Sequence, residues 1–176
     1  MTLSAPIPDL RYCASIDPRL AAFIDALPKA ELHLHIDGAL PRGQMRRIDP
    51  SLPERPHVWD PDYRFPSFEA FLRLCDQYCV PWLTSLDRCA SRIEAMVRTC
   101  AAQNVRYVET SIDLGAAMRM GAPADVMAAM RDGASRVHGV TTRLYMGISR
   151  DALSRLGPVV LGVLDIPDLD GIARPG

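Results

Sequence analysis

The stretch LPKAELHLHIDGAL, residues 27–40, alternates polar and aliphatic side chains along its centre. The polar positions are Glu31, His33, His35 and Asp37. The positions between them are aliphatic: Leu32, Leu34 and Ile36. Because successive side chains of a β-strand point to opposite faces, this alternation predicts a strand at about residues 30–36 with one polar face and one apolar face.

Two of the four histidines in the chain share this polar face. Imidazoles at positions i and i+2 of a strand can direct their ring nitrogens at a single ion, and zinc binds histidine nitrogen at about 2.0–2.1 Å. The spacing of His33 and His35 therefore predicts two ligands of one metal site. A second interpretation stays open on spacing alone, since His-x-His is a short pattern that also occurs by chance on half-exposed polar strands.

The two residues that follow the predicted strand are suited to a ligand site. Asp37 lies beyond the carboxyl end of the strand, where the ligand sites of parallel sheets cluster. Gly38 permits a close approach of the backbone to a ligand, or a positive φ angle. We therefore expect Asp37 and Gly38 to contribute to the site that the histidines form.

The rest of the chain alternates predicted helices with predicted strands. The predicted helices cover about residues 18–26, 67–79, 85–103, 123–138 and 150–156, and the further strands cover 105–113, 141–149 and 158–166. Residues 41–66 and 167–176 are expected to be irregular. Such alternation predicts an α/β fold with a parallel sheet and right-handed crossovers, and four β/α units are half of a TIM-type eight-stranded barrel.

Length and composition limit the possible functions. The chain has 176 residues, and we expect an extension with a short helix over residues 1–26 and one truncated barrel domain over residues 27–176. The formal net charge is −1 and no basic run is present, so no nucleic-acid partner is expected. No apolar stretch approaches the roughly 18 residues of a membrane helix, and no signal peptide is apparent. Five cysteines without a Cys-x-x-Cys pair suggest a reducing, cytoplasmic location.

The opening stretch closely resembles the first motif of the adenosine deaminase family, a leucine-proline-lysine lead-in followed by His-x-His-x-Asp-Gly. Weaker similarities follow in the same order, in FPSFEAFLRLCDQY (65–78), NVRYVETSID (104–113), LYMGISR (144–150) and VVLGVLDI (159–166). The resemblance covers about residues 25–170, which is most of this chain but about half of the usual length of the family.

The resemblance implies a zinc-dependent purine nucleoside aminohydrolase that converts adenosine and water to inosine and ammonia. His33 and His35 would be two zinc ligands, Asp37 would contact the ribose hydroxyls, and Gly38 would line the pocket. Zinc would supply a nucleophile at neutral pH by lowering the pKa of bound water towards about 7.

Two further residues match the family at less specific positions. Glu109 corresponds to an acidic residue at the end of the second strand and would have a structural or supporting role. Arg150 would lie at the top of the third strand and orient its neighbours. The family's third histidine ligand, its proton-donating glutamate and its later aspartate pair have no counterpart, because the sequence contains no His-Ala, no His-x-x-Glu and no Asp-Asp. No catalytic residue is therefore identifiable.

Three functions stay open on the sequence. The first is the N-terminal half of a purine nucleoside deaminase acting on adenosine, deoxyadenosine, adenine or a modified nucleoside. The second is an inactive half-barrel that serves as a binding or oligomerising module. The third is another zinc hydrolase of the amidohydrolase group, acting on a cyclic amide or ester. A half-barrel has two open edges, so we expect it to pair with a complementary half, pair with a second copy, aggregate, or belong to a longer product.

Overall fold

The computed structural model describes residues 17–39, 42–78, 83–149, 154–155, 157–166 and 170–173. The helices are α1 (Pro18–Ala26), α2 (Arg42–Ile48), α3 (Phe68–Tyr78), α4 (Leu86–Ala102), α5 (Leu114–Met120), α6 (Pro123–Ser135) and α7 (Gly157–Leu164). The strands are β1 (Lys29–His35), β2 (Val105–Asp113), β3 (Thr141–Gly147) and β4 (Gly171–Ala173). None of the helices among these residues has the length and apolar character needed to cross a membrane.

The four strands form one sheet in the order β1-β2-β3-β4, and every neighbouring pair is parallel. In the register, His35 lies opposite Ser111 and Ser111 lies opposite Tyr145. Sequential parallel strands joined by helices are the arrangement predicted from the sequence, and this part of the prediction is confirmed. The described sheet has the architecture of part of a β/α barrel.

The hydrophobic core fills the space between one face of the sheet and helices α4 and α6. The strand residues in it are almost fully buried: Val108, Ile112, Leu144 and Met146. They form one cluster with apolar residues of the two helices, among them Ile93, Met96, Val97, Val126 and Met130. Each fully buried side chain of this size contributes roughly 1.5–3 kcal/mol. Because strand residues alternate, the opposite face of β2 presents Tyr107, Glu109 and Ser111.

The lead-in to β1 is held by hydrogen bonds to the connection between α4 and β2. The Lys29 ammonium donates to the carbonyls of Asp25 and Leu27, each at 3.1 Å, and to that of Gln103 at 3.0 Å. The Asn104 amide donates to the carbonyl of Ala26 at 2.7 Å. These bonds satisfy carbonyl groups that the ends of α1 and α4 leave without a helical partner. The first strand therefore starts at a fixed position beside β2.

Two helix ends contain residues with the local preferences typical of helix termini. Asp17 caps α1 with Pro18 at the first helical position, and its carboxylate accepts from the Arg19 amide at 2.8 Å. Asn104 adopts the left-handed conformation expected of a helix terminator, with φ 60°. Helix α6 ends at Ser135 rather than near His138, and the left-handed Gly139, with φ 81°, belongs to the turn that follows.

The predicted fourth strand is wrong. Residues 158–166 were expected to be a strand, but α7 covers Gly157–Leu164 and β4 lies later, at Gly171–Ala173. A short apolar run has no periodicity that separates a strand from a buried helix. Burial resolves the ambiguity. Val160 and Val163, which are three residues apart, are buried, whereas Val159 is exposed, and this spacing is that of a helix. Residues 171–173 therefore form a strand where a terminal loop was predicted.

Two short helices were also missed. Helix α2 lies in the 41–66 segment that was predicted to be irregular, and a single 3-10 turn follows at His57–Trp59. Helix α5 begins directly after β2, where the Asp113 carboxylate accepts from the Ala116 amide at 3.1 Å. Each of these α-helices has seven residues, too few to show a clear apolar period in the sequence.

Replacement of Gly133 by alanine tests the contact between α4 and α6. A Cβ atom at Gly133 would overlap the carbonyl oxygen of Ala90 and a methyl group of Ile93, so the two helices would have to separate. We expect Gly133→Ala to lower the free energy of unfolding by about 1–3 kcal/mol, measured by urea denaturation. Gly162→Ala in α7 is the matched control, because no atom lies within 4 Å of the added carbon. An equal effect of the two variants would contradict this packing.

Candidate functional site

The two histidines of β1 lie together on the polar face of the sheet. Strand alternation directs both side chains to the same side, and both are exposed. The Nε2 atoms of His33 and His35 are 3.1 Å apart. The ring centroids are 5.1 Å apart and the rings are tilted by 46°. The two nitrogens therefore converge on one point in front of the strand.

Ser111 of β2 holds the far side of the His35 ring. Its hydroxyl oxygen is 3.2 Å from Nδ1 of His35. Ser111 is only 5% exposed, and the β1–β2 register places it directly opposite His35. The sequence prediction missed this residue. Its signal was its position two residues after Glu109 on the same face of a predicted strand.

The geometry of the pair fits two ligands of one metal ion. Two nitrogens at about 2.0–2.1 Å from a tetrahedral ion lie about 3.3–3.4 Å apart, close to the separation of the His33 and His35 nitrogens. The ring nitrogen of a histidine ligand that does not bind the metal usually makes a hydrogen bond to a polar neighbour. Ser111 is placed to be that neighbour for Nδ1 of His35. Within the described ranges, no group of three His, Cys, Asp or Glu residues is placed to hold a metal ion. These residues thus bring together two donors of a coordination shell.

Asp37 and Gly38 lie in the turn that follows β1. The amides of Gly38 and Ala39 donate to the His35 carbonyl at 3.1 and 3.0 Å, so the turn folds back on the strand end. Oδ1 of Asp37 is buried and has no hydrogen-bond partner among the residues that the structure describes. A buried carboxylate oxygen without a donor is costly, which marks this atom as a candidate for binding a ligand.

Gly38 does not have the positive φ angle that was one of its two predicted roles. Among the described residues, a Cβ atom at this position would meet only the His35 carbonyl oxygen, at 3.9 Å. The backbone therefore does not require glycine for its own conformation. The open space beside Gly38 is compatible with the other predicted role, an approach of a ligand to the backbone.

Arg92 supports the turn from the helix side of the sheet. It is 3% exposed although it carries a charge, and its guanidinium donates to the Asp37 carbonyl. It lies on α4, three residues after Cys89. Burial raises the pKa of the Cys89 thiol to about 11, and the nearby Arg92 charge offsets a part of that rise. The sequence prediction missed Arg92, although its spacing from Cys89 and Met96 places it within the apolar stripe of the helix.

The remaining predicted residues have different outcomes. Glu109 accepts a hydrogen bond from the Tyr107 hydroxyl at 2.7 Å, and this bond raises the pKa of Tyr107. It lies opposite Arg143 in the register and two residues before Ser111. Its supporting role therefore stays a prediction. Arg150 lies outside the described residues.

Replacement of Arg92 by methionine tests its contact with the turn. A hydrogen bond to a charged group contributes roughly 1.5–3 kcal/mol, so we expect the Gly38 and Ala39 amides to exchange with deuterium roughly tenfold faster or more. Hydrogen exchange followed by NMR measures the two amides directly.

The matched control is Arg98→Met, which removes an exposed guanidinium from the same helix. Unchanged exchange at Gly38 and Ala39 in Arg92→Met would show that the contact does not hold the turn.

Comparison with protein-family models finds no match. Two curated proteins are similar over most of the chain. The adenine deaminase of Chlorobium luteolum is 31% identical over 148 aligned residues, covering 79% of this chain and 43% of that protein. The adenine deaminase of Streptomyces coelicolor is 33% identical over 138 aligned residues, covering 71% of this chain and 39% of that protein. The chain spans less than half the length of these relatives.

Solved structures share the fold. An amidohydrolase from Burkholderia ambifaria with bound zinc has a TM-score of 0.65 and 26% identity, covering 94% of this chain and 49% of that chain. The adenine deaminase of Arthrobacter aurescens has a TM-score of 0.61 and 23% identity, covering 86% and 49%. The Arabidopsis ADAL protein in complex with GMP has a TM-score of 0.59 and 20% identity, covering 88% and 51%.

The histidine motif, the consecutive parallel β/α units and these similarities agree with one another. The chain belongs to the deaminase family of the amidohydrolase superfamily, and its coverage of about half of each relative fits the N-terminal half of a member.

Proposed function

We propose that this chain forms the first metal-binding wall of a zinc-dependent purine deaminase. The observation that carries the proposal is the convergence of His33 and His35, with Nε2 atoms 3.1 Å apart, on the polar face of the first strand. The bound zinc in the Burkholderia relative supports the choice of metal. Histidine nitrogens are ordinary zinc ligands, and a catalytic zinc site takes about three protein ligands and keeps one position open.

Each site residue has a defined part in this proposal. His33 and His35 hold the metal, which when bound supplies a water of lowered pKa as the nucleophile. The buried Oδ1 of Asp37 accepts a hydrogen bond from the substrate, and Gly38 leaves room for the substrate to approach. Glu109 supports the polar face through Tyr107. The acid that protonates the purine ring and the third metal ligand come from β/α units outside this chain.

The 6-aminopurine ring is the part of the substrate on which the proposal rests. Sequence resemblance predicts adenosine, with Asp37 at the ribose. Both curated relatives are named adenine deaminases, which favours adenine, converted with water to hypoxanthine and ammonia. The Arabidopsis structures hold GMP or IMP, so purine nucleotides are bound within this fold as well. We therefore propose adenine as the substrate, with adenosine as the alternative.

A complementary half of the barrel is the proposed partner, with a second copy of this chain as the alternative. β1 lies at an edge of the described sheet, and Leu32 on it is 61% exposed. Large apolar side chains are also exposed on two helices, Phe23 of α1 at 60% and Phe68 of α3 at 68%. An open strand edge and exposed apolar side chains favour pairing with another β/α unit.

The second candidate function is a half-barrel without catalytic activity that binds or oligomerises. It is favoured by the presence of only two convergent metal donors among the described residues. The third, a zinc hydrolase of cyclic amides or esters, has the His-x-His motif in common with the first. An assay that offers adenine, adenosine and a cyclic amide to the zinc-loaded protein, reconstituted with the C-terminal half of an adenine deaminase relative, separates the three.

Ammonia release is the measurement for this assay. Turnover of adenine or adenosine that His35→Ala abolishes supports the proposed deaminase, and turnover of the cyclic amide alone supports the third function. Zinc binding without turnover of any substrate by the reconstituted mixture contradicts the proposed deaminase and supports the second function.

Removal of either histidine should weaken zinc binding. We expect His33→Ala and His35→Ala each to lower the affinity for Zn²⁺ at least tenfold, because each removes one of two donors. Isothermal titration calorimetry measures the affinity. His138→Ala is the matched control, because His138 is exposed in the turn after α6. Equal affinities in all four proteins would show that the pair does not bind the metal.

A further inference from the structure

We propose that Ser111 is a positioning residue that sets the tautomer of His35. It accepts a hydrogen bond from Nδ1–H and thereby leaves the Nε2 lone pair free for the metal. This inference rests on the proposed metal-binding function. It adds a residue of the second strand to a site that the sequence motif places on the first strand alone.

The backbone fixes the distance between Ser111 and His35. The two residues are partners in the β1–β2 register, and the Ile36 amide donates to the Ser111 carbonyl at 2.9 Å. The hydroxyl oxygen then lies 3.2 Å from Nδ1 of His35. Ser111 is 5% exposed, so bulk water has little access to compete for this contact. The contact is therefore built into the sheet.

Proton placement decides whether an imidazole can bind a metal. Neutral imidazole carries one N–H, and a metal takes the nitrogen that has the lone pair. If Nδ1 carries the proton of His35, Ser111 accepts it and Nε2 is available. If the Ser111 hydroxyl instead donates to Nδ1, Nε2 of His35 carries the proton and cannot take a metal. The hydrogen bond between Ser111 and Nδ1 therefore determines which nitrogen of His35 carries the proton.

The contact within the histidine pair is compatible with the first arrangement. Nε2 of His33 lies 3.1 Å from Nε2 of His35, and a hydrogen bond there needs one N–H and one lone pair. With Nδ1–H on His35, Nε2 of His35 is the acceptor and His33 is the donor. Within the described part of the chain, Nδ1 of His33 makes no hydrogen bond, so its tautomer has no comparable constraint. One buried hydroxyl thus orders both rings.

The test is the tautomer of His35 in the metal-free protein, read from ¹⁵N NMR of labelled histidine well above the usual histidine pKa of about 6.5. We expect mainly Nδ1–H at His35 in the natural protein and in Ser111→Thr, which keeps the hydroxyl. Ser111→Ala should shift His35 towards Nε2–H. The control Ser135→Ala removes a hydroxyl that bonds to the Asp132 carbonyl, away from the histidines, and should change nothing at His35.

Zinc affinity provides the second readout. We expect Ser111→Ala to bind Zn²⁺ about 10–100-fold more weakly and Ser111→Thr to restore most of the affinity. Urea denaturation of each variant shows whether the fold is kept, and Ser111→Ala removes a single oxygen atom. If Ser111→Thr does not fold, the comparison of Ser111→Ala with Ser135→Ala decides the inference.

The two readouts separate this inference from the proposed function. Nε2–H at His35 in the natural protein, or a tautomer that Ser111→Ala leaves unchanged, overturns the role of Ser111. The expected tautomers together with no zinc binding by the natural protein would overturn the metal site but uphold the control of the His35 tautomer by Ser111.

Discussion

The parallel pairing of β1 with β2 is the constraint on which the rest of the structure depends. It sets His35 opposite Ser111, and the bond from the Ile36 amide to the Ser111 carbonyl continues the pairing beyond the strand end. Lys29 and Asn104 anchor the beginning of the same pairing. A slip of one residue would turn both histidines to the helix side, because the side-chain period of a strand is two. The register therefore decides whether the two histidines lie on the open face of the sheet.

The two faces of the sheet have different roles: one packs against the core, and the other carries the candidate site. One face is covered by α4 and α6 and contains the buried apolar side chains, while the other face presents the histidine pair and its polar neighbours. Arg92 connects the two sides, since it extends from the buried stripe of α4 to the turn that carries Asp37. Burial of its charge requires that hydrogen bonds be satisfied, and the Asp37 carbonyl supplies one of them. The position of the site turn is thus tied to helix packing.

Most of the regular fold follows from local patterns. The alternation of side chains at residues 30–36 predicted β1. The helices predicted at about residues 67–79 and 85–103 correspond to α3 and α4. The errors fell where a segment is short or uniformly apolar. The run at residues 158–164 has no polar residue to reveal its period, so only its packing shows that it is a helix.

The sequence by itself determined that two imidazoles share one face of a strand and that Asp37 and Gly38 follow it, because both facts depend only on the spacing of neighbours along the chain. The tertiary structure decided which residues meet those side chains. Ser111 lies 76 residues from His35, and Arg92 lies 55 residues from Asp37. Such contacts depend on register and helix packing between distant segments, and no periodicity within one segment encodes them.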